Sequence, residues 1–93
     1  MFSETFERRA FAQTLQKKLR ILRAAAGVSQ ADVATALGLV RSTYVSYENG
    51  SKEIPWEKCL ALLFYFESNP GSREILSSIK ILPESVRRFH HDD

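Results

Sequence analysis

Three glycines set the length of the structural elements this chain can form. Gly27, Gly38 and Gly50 stand 11 and 12 residues apart, and each closes a stretch whose apolar residues recur at helical spacing. A glycine just past a helix end takes the left-handed conformation that lets the last carbonyls find partners. No segment shows convincing two-residue alternation, and no repeat or low-complexity tract interrupts the pattern. The expected fold class is all-α, a compact five-helix domain.

The individual helices follow from the breakers and the apolar spacing. Phe11, Leu15, Leu19, Leu22 and Ala26 form an inward stripe on a first helix that ends at Gly27. That helix is expected to begin as early as Ser3, with Ser3 as its cap and Glu4 and Glu7 favourable in the opening turns. Ser29 caps a second helix, with Asp32 three positions on in a near-capping-box arrangement, and Val33, Ala34 and Leu37 turned inward. A third helix runs from about Arg41 to Glu48, with Tyr44 and Tyr47 inward. Pro55 suits the first turn of a fourth helix whose core stripe is Trp56, Leu60, Leu63 and Phe64. Asn69-Pro70-Gly71-Ser72 reads as a turn, followed by a fifth helix to about Leu82 and a break at Pro83.

At 93 residues the chain fits a single domain, 1–93, which excludes an enzyme with separate cofactor and substrate domains. A run of about 18 apolar residues is absent, so no membrane span is expected. The start, MFSETFERRAF, lacks the apolar core of a secretory peptide. One cysteine, Cys59, makes no internal disulfide, and the adjacent His90 and His91 are poorly placed to chelate one metal. The expected setting is therefore a reducing cytoplasm. Paired carboxylates, a Ser–His–Asp set, a phosphate-cradling glycine loop and a metal-ligand cluster are all missing, so no enzyme, cofactor or metal is expected.

The formal net charge of +2 conceals a strong asymmetry. Residues 1–7 carry net −2. Residues 8–41 carry seven basic side chains against Asp32 alone, net +6, and residues 42–93 return to −2. A basic N-terminal half joined to a mildly acidic C-terminal half suggests one surface that faces a polyanion. The alternative is a solvated helix face.

Two short helices joined by a tight glycine turn, framed by a basic first helix, make the helix-turn-helix plan. Leu19-Arg20-x-x-Arg23, Gly27-Val28-Ser29-Gln30, Val33-Ala34-x-x-Leu37-Gly38, Arg41-Ser42-Thr43-Tyr44, Tyr47-Glu48-Asn49-Gly50 and Pro55 stand in order. In these residues the chain resembles the lambda-repressor-like or Cro-like helix-turn-helix family, over about residues 15–66. The resemblance implies that the third helix enters the major groove of double-stranded DNA with its first residues at base edges. With Tyr44 and Tyr47 inward, the outward candidates for base contact are Arg41, Ser42, Val45 and Ser46. Arg41 suits guanine, with a phosphate contact as its alternative, and Val45 suits a thymine methyl. For phosphates the resemblance implies Gln30 and Ser29 at the start of the second helix, Asn49, Ser51 and Lys52 after the third, and Lys18 on the first. It further implies a structural ion pair between Arg23 and Glu48.

Two positions depart from the family pattern. Val40 stands where a Ser or Thr cap is usual, which costs the third helix ~1 kcal/mol. Trp56 stands where some relatives carry a basic side chain. The fourth helix, from Cys59 to Phe66, is apolar all round, so one face needs a cover beyond the core. Candidate covers are Ile75, Leu76, Ile79, Leu82, Phe2 and Phe6, or a second copy of the chain pairing through residues 67–93, to which Phe89 would add. The functional expectation is a sequence-specific transcriptional regulator, a repressor of prokaryotic or phage type, binding a palindromic operator as a homodimer. The second reading is an antitoxin or interaction module whose main partner is a protein.

Overall fold

The stripe at Phe11, Leu15, Leu19 and Leu22 becomes the spine of the molecule, and all four side chains are fully buried. The computed structural model describes the backbone of residues 2–78 and the side chains of residues 6–78. Among these residues the ordered elements are five helices: α1 (Phe2–Ala26), α2 (Gln30–Ala36), α3 (Arg41–Asn49), α4 (Trp56–Glu67) and α5 (Pro70–Ser77). At 1.5 Å per residue α1 is roughly 37 Å long, which matches the 34 Å long axis of the molecule. The helices α3, α4 and α5 pack against it, and α2 packs on α3. Helix α1 starts at Phe2, so Ser3 lies inside the first turn rather than capping it.

The expected punctuation is present. Gly27, Gly38 and Gly50 have φ of 71°, 70° and 83°. At Gly38 the backbone closes α2 with two reversed bonds: Gly38 N–H donates to Thr35 O at 3.1 Å, and Leu39 N–H to Ala34 O at 2.8 Å. A side chain at this φ would be strained, and the α2–α3 turn depends on it. At the other end of α2 the capping box is complete. Ser29 Oγ accepts from the Asp32 amide at 3.0 Å, and the Ser29 amide donates to Asp32 Oδ2 at 2.9 Å. The bonds from Ser29 hold the Asp32 carboxyl below its ordinary range.

Several expectations need correction. Pro55 is the cap of α4 rather than part of its first turn, and its carbonyl accepts from Lys58 and Cys59, both at 2.9 Å. The buried face of α4 is Cys59, Leu62 and Phe66, with Trp56 and Leu63 partly buried. Leu60 and Phe64, expected inside, are 40% and 74% exposed. A helix apolar on every side carries no phase signal, so its contacts with α1 and α5 choose the buried face. Asn69-Pro70-Gly71-Ser72 is the start of α5 rather than a separate turn. Asn69 Oδ1 accepts from the Gly71 amide at 2.8 Å, and Pro70 occupies the first helical position, where a missing N–H is harmless. The described helix ends at Ser77 with Ser78 as its cap, and the expected end at Leu82 lies outside the described residues. Ile79, Leu82, Pro83, Phe89, His90 and His91 lie outside the described residues, as does the side chain of Phe2. Phe6 is 70% exposed, so it does not cover α4.

Gly71 fixes how closely α5 approaches α1. A Cβ built there would fall on the carbonyl oxygen of Ala25, a backbone atom that cannot swing away. Gly71→Ala is therefore expected to push α5 outward and cost about 1–3 kcal/mol as an overpacked contact. For a domain of this size that is a drop in Tm of about 4–8 °C per kcal/mol, read by thermal circular dichroism. An unchanged Tm would show that the two helices separate freely.

Candidate nucleic-acid interface

Helix α3 divides cleanly between inside and outside. Tyr44 is fully buried and Tyr47 nearly so, which turns Arg41 and Ser42 to solvent and leaves Val45 and Ser46 partly exposed beside them. The Ser46 hydroxyl donates to Ser42 O at 3.0 Å, so it meets any ligand chiefly as an acceptor. Val40 precedes the helix with extended backbone and no side-chain bond to it, and is 67% exposed.

A chain of hydrogen bonds ties this face to the interior. Arg41 Nη2 donates to Gln30 Oε1 at 2.9 Å, and Gln30 Nε2 donates to Glu48 Oε1 at 2.8 Å. Arg23 Nε donates to Glu48 Oε2 at 2.8 Å and Arg23 Nη2 to Oε1 at 3.1 Å, while the Tyr44 hydroxyl donates to Oε2 at 2.8 Å. Glu48 is thus held from α1, α2 and α3 together, with a side chain only 1% exposed. Burial pushes its carboxyl up, but the bonds from Arg23, Gln30 and Tyr44 outweigh that and hold it below the usual range. Burial and the bond to Glu48 push the Tyr44 phenol well above its ordinary value. The bond to Glu48 outweighs burial at Arg23 and raises its pKa.

The candidate phosphate ligands fall in two groups. Ser29 and Gln30 sit at the start of α2, although the Ser29 hydroxyl is already engaged in capping. Asn49, Ser51 and Lys52 are exposed where the chain leaves α3, and Asn49 Oδ1 accepts from the Ser51 amide at 2.9 Å. Lys18 joins neither group. It is exposed, but helical rotation puts it on the opposite flank of α1 from Gln16, Arg20 and Arg23, the residues that meet α3 and its following loop. Arg20 Nε lies 3.8 Å from Glu48 Oε1, and Gln16 Nε2 donates to Lys52 O at 2.6 Å. The signal for these two was present as spacing: Gln16 and Arg20 stand seven and three positions before Arg23.

A scan against protein families matches residues 17–71 to the family described as a helix-turn-helix domain. The chain belongs to that family. The matched stretch contains the helix pair α2–α3, the Arg23–Glu48 pair and the start of α5. No curated protein and no solved structure matches the chain. Membership points to a DNA-binding regulator, a class that is typically non-enzymatic, and agrees with the lambda-repressor-like resemblance.

The helix-turn-helix domain also holds a buried thiol. Cys59 is fully buried on α4 with Sγ 3.7 Å from Ile54 O, and burial pushes the thiol up to about 12. The thiolate is the reactive form, so this cysteine is inert while the domain is folded. Iodoacetamide at mildly alkaline pH is expected to leave native protein unmodified and to label it fully in denaturant, as read by mass spectrometry. Rapid native labelling would show that α4 opens locally. Among the described residues no group of three His, Cys, Asp or Glu side chains is placed to hold a metal. No described helix is long and apolar enough to cross a membrane.

Proposed function

We propose that this protein is a sequence-specific, DNA-binding transcriptional repressor of prokaryotic or phage type, acting in the cytoplasm on a palindromic operator as a homodimer. The observation that carries the reading is the outward face of α3, opened by an exposed Arg41 whose guanidinium is steered through Gln30 by the buried Glu48. A side chain held before its ligand arrives loses less entropy on binding. Arg41, Ser42, Val45 and Ser46 then meet base edges. Gln30 and Ser29 on one side, and Asn49, Ser51 and Lys52 on the other, bracket the groove with phosphate contacts. Lys18, on the far flank of α1, is left out of the interface.

Two-fold pairing through α5 and residues 67–93 would set two copies on half-sites one helical turn apart. The exposed Leu60 and Phe64 on α4 support a further apolar contact of some kind. The same pair favours the second reading, in which a protein partner covers α4 and DNA is secondary. A stoichiometric complex with another protein, in place of a homodimer, would establish that reading.

Selection of duplex oligonucleotides followed by anisotropy titration tests the proposal. Arg41→Ala is expected to relax discrimination at one base pair and cost about 1–3 kcal/mol, whereas Lys52→Ala weakens every sequence alike. Equal, sequence-blind losses from both would move Arg41 to a phosphate. Failure to select any sequence would overturn the regulator reading.

A further inference from the structure

The family match begins at residue 17, yet α1 runs unbroken from Phe2. Along it Arg9, Gln13, Gln16, Arg20 and Arg23 are spaced four, three, four and three residues, which places them on one side of the helix. The C-terminal members are engaged with α3 and its loop: Arg23 and Arg20 at Glu48, and Gln16 at the Lys52 carbonyl. The side therefore continues, toward the N-terminus, past the same loop that carries Ser51 and Lys52. There Arg9 and Gln13 are exposed and line an open cleft with Gln16, Glu53 and Trp56. Arg8 lies over the Trp56 ring, 5.0 Å from its centroid, at the same cleft. A neighbouring cleft is formed by Gln13, Gln16 and Lys17 against Asn49 and Gly50.

The charges on this side do not balance internally. Among the described residues neither Arg9 in the first cleft nor Lys17 in the second has an ion-pair partner, and Glu48 in the second is already neutralised by Arg23. Surplus guanidinium and ammonium groups interleaved with amide donors match the phosphodiester backbone, which accepts from both. We infer that Arg9, Gln13 and Lys17, together with Lys52, form an accessory ridge that grips backbone phosphates of the bound duplex beyond the reach of α3. The inference rests on the DNA-binding reading and deepens it: the α1 extension lengthens the footprint and adds affinity without adding sequence information.

The test is a set of anisotropy titrations of the full chain on a selected duplex across a range of salt concentrations. Arg9→Ala is expected to lower the slope of log K against log salt by about 0.9, one phosphate contact, and to weaken all sequences equally. Arg9→Lys restores the slope. Gln13→Glu, which sets a carboxylate against the phosphates, weakens binding further, and Lys18→Ala, on the opposite flank of α1, leaves it unchanged. Phosphate-ethylation interference is expected to lose its outermost positions in Arg9→Ala. Variants that fold as wild type by circular dichroism yet keep its slope and interference pattern would overturn the ridge and leave the regulator reading intact. A wild-type chain with no salt-dependent duplex binding would overturn both.

Discussion

Glu48→Ala is expected to cost about 3–5 kcal/mol of folding free energy, a large share of the total for a domain of this size. The loss comes from what stays behind rather than from one missing bond. Arg23, with a side chain only 23% exposed, would keep its charge without a partner, and the fully buried Tyr44 hydroxyl would lose its acceptor. Glu48→Gln separates charge from size, because the amide keeps one acceptor but turns a donor toward Arg23. The pH dependence has a definite sign. Glu48 is held below its unfolded pKa, so its contribution is fully present above the unfolded value and disappears as pH falls through the folded one. Asp32 acts in the same direction. Wild type should therefore lose stability as pH drops below about 4, and Glu48→Gln should flatten that acid limb while lying below wild type at neutral pH. Urea unfolding at neutral and acid pH checks both. A variant within 1 kcal/mol of wild type, with the same acid limb, would show that the pair contributes nothing net. The substitution also releases Gln30 from its anchor, so it should broaden base preference through Arg41.

Phe11→Ala tests the other large term, the attachment of α4 to α1. The Phe11 ring is fully buried and meets Trp56 edge to face, with centroids 6.1 Å apart and planes at 75°. Truncation removes the ring and leaves a cavity that the backbone of two helices cannot close, an expected cost of about 3–5 kcal/mol. Phe11→Leu retains most of the volume and should cost less than about 1.5 kcal/mol. Because Trp56 is the only tryptophan, the same samples report locally: its fluorescence should shift red in Phe11→Ala before global unfolding. Phe11 lies outside the stretch matched by the family, so a large loss would establish the α1 extension as part of the same cooperative unit. A loss under 1 kcal/mol would make it an appendage.

The legible part of this protein was written in short-range terms. The stripe on α1, the Ser29–Asp32 capping box and the glycines that end three helices each depend on residues within four or five positions, and all stand where spacing put them. Asn69-Pro70-Gly71-Ser72 has the composition of a turn and yet opens α5 for the same local reason: the residues that make a turn also cap and open a helix. The site divides along the same line. Arg41 and Ser42 emerge on the solvent side because Tyr44 and Tyr47 must be buried, a matter of helical period alone.

Local pattern thus accounts for the division of residues 2–78 into five helices, the helix-turn-helix membership and the concentration of positive charge before residue 42. Packing between helices sets which face of α4 is buried, that Gln30 bridges Arg41 to Glu48, and that Gln16 and Arg20 rather than Lys18 share the flank of α3. It also makes Gly71 a contact point rather than a turn residue. The physical reason is one of range: helix starts and stops arise from bonds along the chain, whereas faces, bridges and close approaches arise from how helices far apart in sequence rotate and settle against one another.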